Sequence, residues 1–169
     1  MIIRQEKKEE FGEIYNLINE AFKTAEVYDG TEADYTNALR ESGKYIEKLA
    51  LVSEENNELI GHIMLTKLKI VTSDSEIEEL LLSPICVSFE NRNKGVGGML
   101  IRESFKLAKE MGYSAVFLCG NPAYYSRFGF KNTTEFGIKN TSEIPQQYVM
   151  GCELFCDALK DITGTIAVS

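Results

Sequence analysis

The chain has 169 residues, of which 44% are hydrophobic and 26% are charged, as expected for one globular domain with a full hydrophobic core. Asp and Glu outnumber Lys and Arg by 26 to 18, and the resulting net charge of -8 argues against nucleic-acid binding, which depends on basic surfaces. No apolar run approaches the roughly 18 residues needed to cross a bilayer, so we expect no membrane association.

The residues able to form disulfides or bind metal are few: Cys86, Cys119, Cys152, Cys156 and a single histidine, His62. The cysteines are too sparse for a disulfide scaffold, and the last two lack the spacing of a zinc pair. Charged residues near the N-terminus leave no room for a signal-peptide core. We therefore expect free thiols, no metal and a cytoplasmic location, with Cys86 and Cys119 in the core.

The first half of the chain predicts, in order, a strand at 2–4, an amphipathic helix at 8–22, a loop at 23–30, a helix from 31 to 40 or 41, and strands at 49–53 and 59–71. Thr31 is a candidate cap for the second helix, and Gly43 is a candidate stop. The turn-forming residues 54–57 join the two strands. His62 lies inside the second of them, where a structural role is favoured.

The second half predicts a strand at 77–87, a helix at 96–110, a buried strand at 115–119, a short helix at 121–128, a loop at 131–147, and closing strands at 148–155 and 162–168. Gly112 follows the long helix as its stop. Repeats, low-complexity tracts and linkers are absent from the sequence. The whole pattern indicates one α/β domain over 1–169 with a mixed sheet.

The segment between the strand at 77–87 and the long helix is basic and rich in glycine. Arg92 and Lys94 supply charge, while Gly95, Gly97 and Gly98 let a ligand approach the backbone. The opening turn of a helix also offers unpaired N–H groups to a phosphate. The spacing fits neither a Walker loop nor a dinucleotide-binding fingerprint. The segment therefore predicts an anion-binding turn.

Two motifs carry a resemblance to a known family. Arg92-x-x-Gly95-x-Gly97 is similar to the pyrophosphate loop of the GNAT superfamily of acetyl-CoA-dependent N-acetyltransferases. The stretch 120–130 resembles the Tyr-x-x-x-Gly-Phe signature of that superfamily, in the Pro-x-Tyr-Tyr-x-Arg-Phe-Gly-Phe form of one bacterial subgroup. The resemblance implies an α/β (α+β) fold with a mixed, mostly antiparallel central sheet, flanked by helices and splayed between strands 4 and 5. It also implies acetyl-CoA as cosubstrate.

The same resemblance implies roles for residues around that opening. The backbone N–H of Ile85 would lie near the thioester oxygen, and Val87 would bond the pantetheine arm, which Pro84 favours because it interrupts the strand. The pyrophosphate would lie on the turn formed by Arg92, Asn93, Lys94, Gly95, Val96, Gly97 and Gly98.

Tyr125 matches the superfamily tyrosine, and the resemblance implies that its phenol protonates the departing thiolate. Packing alone would also explain an aromatic residue in this stretch. Leu118 occupies the position where many members carry asparagine, so that role is not transferred. Glu79 and Glu32 are candidate general bases, and each also fits a solvated surface carboxylate.

The predicted activity is transfer of the acetyl group from acetyl-CoA to a primary amine by direct attack in a ternary complex. A non-catalytic acyl-CoA-binding sensor of the same fold is the first alternative, and a phosphate-binding protein of unrelated α/β fold is the second. The segments 23–45 and 131–147, expected to shape the acceptor site, carry no recognisable code. An exposed closing strand would allow a homodimer.

Overall fold

The structure is a computed structural model that describes residues 1–25 and 29–168. Its elements in chain order are β1 (Ile2–Gln5), α1 (Phe11–Phe22), α2 (Glu32–Glu41), β2 (Ala50–Glu55), β3 (Glu58–Val71), β4 (Glu76–Val87), α3 (Val96–Glu110), β5 (Ala115–Cys119), α4 (Pro122–Tyr125), β6 (Lys131–Asn132), β7 (Ile138–Asn140), β8 (Val149–Glu153) and β9 (Gly164–Ile166). The described helices include none with the length and apolar character of a membrane span.

The strands form a mixed, mostly antiparallel sheet in the hydrogen-bonded order β1-β2-β3-β4-β5-β8-β6. β4 and β5 are parallel, with Leu80 opposite Val116 and Leu81 opposite Phe117. β9 runs parallel to β7 and pairs with the end of β3 at Val71. This arrangement confirms the predicted mixed α/β fold. The opening between β4 and β5 stays a prediction.

The fold divides into two compact units. The first consists of Met1–Thr66 and Ser83–Leu107, and the second of Lys67–Leu82 and Ala108–Ser169. Both β3 and β4 contribute residues to each unit. The prediction of one domain over 1–169 stays a prediction.

The core of the first unit is formed where apolar helix faces cover β-strands. α1 buries Ile14 and Ile18, which pack with Val52 of β2 and Cys86 of β4. Helical spacing of the apolar residues creates that face, as the sequence predicts. β2 and β3 turn at Asn56 and its neighbour, both of which have positive φ and fit a tight hairpin.

A buried carboxylate follows β1 in the same unit. The Glu6 oxygens accept hydrogen bonds from Arg40 Nε and Nη2 at 2.9 and 3.0 Å, and His62 Nε2 lies 2.9 Å from Oε1. The Arg40 guanidinium also lies over the Phe11 ring, 3.8 Å from its centroid. Burial alone raises the pKa of Glu6, but the bonds from His62 and Arg40 hold that pKa below its usual range. The structural role predicted for His62 is confirmed.

The core of the second unit surrounds β5. Phe117 is fully buried there together with Ile138, Val149 and Ile166. β5 pairs with β8 along its whole length, from Ala115 opposite Glu153 to Cys119 opposite Val149. β5 is therefore covered over nearly all its residues, as its continuous apolar run predicts.

The segment 131–147 contains two short strands, so the prediction of a loop is wrong for β6 and β7. Gln146 connects them. Its Nε2 donates to Asn132 Oδ1 at 3.2 Å and to Thr133 Oγ1 at 2.9 Å, while its Oε1 accepts from the backbone N–H of Asn140 at 3.0 Å. Hydrogen bonds of side-chain amides hold this segment together. The alternation of apolar and polar residues that would predict a strand is therefore absent from β6 and β7.

Two local predictions are also wrong. Cys119 is exposed rather than buried, because it is the last residue of β5, although all four thiols are free as predicted. Thr31 precedes α2, but its hydroxyl donates to Asp29 at 2.6 Å and forms no helix cap. Residues 26–28 of the predicted loop at 23–30 lie outside the described residues.

Replacing Arg40 with Met should leave the buried Glu6 carboxylate without its two guanidinium bonds. We expect the free energy of unfolding to fall by about 3–5 kcal/mol, measured by urea denaturation. Lys69→Met is the matched control, because Lys69 bonds Glu76 at an exposed position and its loss should change little. Equal stability of the two variants would show that the buried cluster is dispensable.

Candidate functional site

The turn from β4 into α3 is held by backbone hydrogen bonds on its β4 side. The N–H of Ser88 donates to the carbonyl of Ile60 on β3 at 2.8 Å, and a 3₁₀ turn follows over Phe89–Asn91. Asn93 and Gly95 then adopt positive φ values of 63° and 80°. These two left-handed residues redirect the chain, which explains the need for glycine at 95.

The amide groups that follow point out of the helix without intrahelical partners. The first helical bond of α3 runs from the N–H of Met99 to the carbonyl of Gly95 at 3.1 Å. The N–H groups of 96–98 precede that bond, and Lys94 is exposed beside them. The positive end of the helix dipole lies at the same place. The arrangement suits an anionic group, and pyrophosphate binding at this turn stays a prediction.

Arg92 belongs to this turn but its side chain is already engaged. Its Nε donates to the carbonyl of Val87 at 3.3 Å, and its Nη2 to the carbonyl of Ala21 in α1 at 2.5 Å. Its backbone N–H donates to the carbonyl of Phe89 at 3.3 Å. Sequence analysis missed these bonds because nothing in the motif indicates a partner 71 residues away.

The two β4 residues expected to bind the cosubstrate are both partly exposed. Ile85 and Val87 alternate with the buried Pro84 and Cys86 along the strand. One set of side chains packs into the first unit, as Cys86 does against α1. The side chains of Ile85 and Val87 therefore lie on the more exposed face of β4. Both residues belong to the first unit, as does the turn.

Tyr125 lies at the end of α4 in the second unit. Asn121 caps this helix, because its Oδ1 accepts the N–H of Ala123 at 2.9 Å. The Tyr125 ring packs edge-on against Tyr124 and Phe130, with centroids 4.9 and 5.9 Å away. Burial, with smaller contributions from Tyr124 and Cys119, raises the pKa of Tyr125 to about 12. The phenol therefore keeps its proton at neutral pH.

Glu79 is buried in the second unit, and the surface interpretation of this carboxylate is wrong. Its Oε1 accepts hydrogen bonds from the N–H groups of Ser114 and Ala115 at 2.9 and 3.1 Å, which joins β4 to the start of β5. Burial raises the pKa of Glu79, although those two amides oppose the shift. The other candidate, Glu32, accepts the N–H of Asp29 at 3.3 Å.

The site contains no metal-binding arrangement in the part of the chain that the structure describes, since no three His, Cys, Asp or Glu side chains are grouped to hold an ion.

Sequence comparisons find relatives of this chain among the acetyltransferases. The model of the acetyltransferase (GNAT) domain matches residues 2–133. The uncharacterised N-acetyltransferase YhbS of Escherichia coli K12 is 25% identical over 166 residues, which cover 98% of this chain and 95% of YhbS. The uncharacterised N-acetyltransferase YjhQ of the same strain is 34% identical over 103 residues, or 59% of this chain and 55% of YjhQ.

Solved structures resemble the fold over nearly its full length. E. coli YhbS in complex with CoA superposes with a TM-score of 0.87 at 25% identity, covering 98% of this chain and 88% of that one. A GNAT family acetyltransferase from Brucella melitensis in complex with acetyl-CoA gives a TM-score of 0.79 at 26% identity, covering 98% and 94%.

The fold and the family match together define an acyltransferase of the acetyl-CoA-dependent N-acetyltransferase class. The chain belongs to the GNAT acetyltransferase family.

The contact between Tyr125 and Gly120 gives a direct test of how the ring is placed. A Cβ at position 120 would lie 2.4 Å from Tyr125 Cε2, so Gly120→Ala must displace the ring. We expect the free energy of unfolding to fall by about 1–3 kcal/mol, with an altered near-UV tyrosine signal.

Gly12→Ala is the control for that substitution. A Cβ at Gly12, on the exposed face of α1, meets nothing within 4 Å, so alanine should be neutral or stabilising there. A Gly120→Ala protein with parental stability and spectrum would contradict the packing described for Tyr125.

Proposed function

We propose that the protein transfers the acetyl group of acetyl-CoA to a primary amine by direct attack in a ternary complex. The observation that carries this proposal is the series of backbone amides at the start of α3 that precede its first helical hydrogen bond, next to the partly exposed end of β4. The complexes of YhbS with CoA and of the Brucella protein with acetyl-CoA support the choice of cosubstrate.

In this proposal the pyrophosphate of acetyl-CoA lies on the turn formed by residues 92–98. Backbone amides and a helix N-terminus are well suited to phosphate oxygens, and Lys94 adds a positive charge at the rim. The N–H of Ile85 polarises the thioester carbonyl, and Val87 bonds the amides of the pantetheine arm as a neighbouring strand would.

The chemistry then requires two proton movements. The amine nitrogen attacks the thioester carbon, the C–S bond breaks, the ammonium nitrogen loses a proton and the sulfur gains one. Tyr125 is the proposed donor to sulfur because its phenol is protonated at neutral pH, although the burial that raises its pKa to about 12 also makes it a weaker acid. A thiolate leaving into a poorly solvated site is also destabilised, which increases its affinity for that proton.

Glu79 is the proposed base for the amine. Burial raises the pKa of Glu79, so this pKa lies closer to neutral pH than that of an exposed glutamate. A carboxylate with a raised pKa is a stronger base, which favours proton acceptance from the amine. Its two bonds to β5 amides also support a structural role. Glu79→Asp, which keeps the carboxyl, and Glu79→Gln, which keeps the bonds to the amides, would separate the two roles by pH-rate profiles.

The state of the cysteines favours direct attack over an acetyl-cysteine intermediate. Burial raises the pKa of Cys86 to about 12 and that of Cys152 to about 11, and it also raises the pKa of Cys119. A thiol is nucleophilic only as its thiolate, so these three groups are poor nucleophiles at neutral pH.

A screen of primary amines for CoA-thiol release tests the proposal. The expected result is amine-dependent thiol release, with the matching acetylated product detected by mass spectrometry. Binding of acetyl-CoA without release for any class of amine, including polyamines, amino acids, peptide N-termini and lysine peptides, would favour the non-catalytic sensor instead.

Gly97→Val tests the proposed pyrophosphate site. A branched side chain in the first turn of α3 should keep phosphate oxygens from the backbone, and acetyl-CoA affinity should fall at least about tenfold, or about 1.4 kcal/mol. The measurement is isothermal titration calorimetry on the folded variant. Gly12→Val, in a helix away from the turn, is the control, and an unchanged affinity of Gly97→Val would exclude the turn as the binding site.

Tyr125→Phe tests the general acid. The substitution removes only the phenolic oxygen, so acetyl-CoA should bind nearly as well as to the parent while kcat falls about ten- to a thousandfold. Initial rates with an amine from the screen give kcat, and calorimetry gives the affinity.

The adjacent Tyr124→Phe is the matched control, because its ring packs against Phe128 and under Arg127. It should cost little in kcat. Equal kcat values for the two variants would identify Tyr125 as a packing residue.

A further inference from the structure

The side chain of Arg92 bonds two backbone carbonyls, one at the end of β4 and one in α1. We propose that Arg92 is a positioning residue, which fixes the phosphate-binding turn to β4 and to the end of α1, and not a ligand of the pyrophosphate. This inference rests on the proposed function, since it concerns how the acetyl-CoA site is held in shape.

The hydrogen bonds of the guanidinium support this role. Its Nε and Nη2 point to the same edge of the planar group, and that edge is occupied by the carbonyls of Val87 and Ala21 at 3.3 and 2.5 Å. The same group lies 5.5 Å from the centroid of the Phe89 ring. Bidentate binding of phosphate through this edge would require both carbonyl bonds to break.

The Ala21 carbonyl is a suitable partner for a fixed positive charge. It lies in the last turn of α1, where carbonyls lack intrahelical partners and the helix dipole is negative. The carbonyl also accepts the Thr24 hydroxyl at 3.2 Å. Arg92 thus caps α1 at the same time as it holds the end of β4.

The two anchored carbonyls belong to parts of the chain with different roles. Val87 is the β4 residue proposed to bind the pantetheine arm, and Arg92 fixes the direction of its peptide group. Lys94 provides the contrast, because it is exposed in the same turn and makes no ion pair within residues 1–25 and 29–168. In this inference the direct phosphate contacts are made by Lys94 and the backbone amides.

Two ligands separate positioning from phosphate binding. S-acetylpantetheine has the acyl group and the arm of acetyl-CoA but lacks the pyrophosphate and the nucleotide. If Arg92 positions Val87 and the turn, Arg92→Gln should weaken the binding of S-acetylpantetheine as well as that of acetyl-CoA, each by at least about tenfold, because both charged hydrogen bonds of the guanidinium are lost. In Arg92→Lys, which keeps the positive charge, the salt dependence of acetyl-CoA affinity should stay that of the parent.

Lys94→Gln should give the opposite pattern. We expect weaker binding of acetyl-CoA, a smaller salt dependence and unchanged affinity for S-acetylpantetheine. Affinities would be measured by calorimetry for acetyl-CoA and by competition for the weaker ligand, at low and high salt.

Arg92→Lys completes the series and serves if Arg92→Gln fails to fold. Lysine keeps the charge but loses the planar edge, so a positioning role predicts the Gln-like pattern, and a phosphate contact predicts near-parental binding. The inference is overturned if the Arg92 variants follow the Lys94→Gln pattern or bind both ligands like the parent. A parent protein that binds no acetyl-CoA would instead contradict the proposed function itself.

Discussion

The backbone amides at the start of α3 precede its first helical hydrogen bond, and the proposed site depends on the turn that holds them in place. Every α-helix leaves its first N–H groups without intrahelical partners, so a turn that presents these groups to a ligand must be held by other contacts. Here the left-handed residues Asn93 and Gly95 bend the chain, and the bond from Ser88 to Ile60 anchors its start. Arg92 secures the same turn from the side, so rigidity is achieved without using the amides that a phosphate would bind.

Buried charged groups hold the surrounding elements in the same way. Glu6 joins α2 and β3 through Arg40 and His62, and Glu79 joins β4 to the first amides of β5. Each of these bonds specifies direction as well as proximity, which hydrophobic contacts alone do not. Burying charge is costly, and the hydrogen bonds to Glu6 and to Glu79 Oε1 offset part of that cost.

Sequence analysis succeeded where the information is local. α3 and β5 have the predicted bounds, because a continuous helical pattern and a continuous apolar run mark them. The motif around Tyr125 also led to the correct family. Analysis failed where the deciding partner is distant in sequence. The burial of Glu79, which depends on β5 amides, is one example, and the pairing of Gln146 with Asn132 is another. The exposure of Cys119 depends on where β5 ends, which an apolar run does not specify.

The central claim is that the backbone amides of residues 93–98 bind the pyrophosphate of acetyl-CoA. A titration followed by ¹⁵N–¹H NMR spectroscopy tests it most directly, because each amide reports its own hydrogen bonding. The account predicts large shifts of the 93–98 amides on addition of acetyl-CoA, with much smaller shifts there on addition of S-acetylpantetheine. Saturable binding of acetyl-CoA that leaves the amides of 93–98 unchanged would contradict the account.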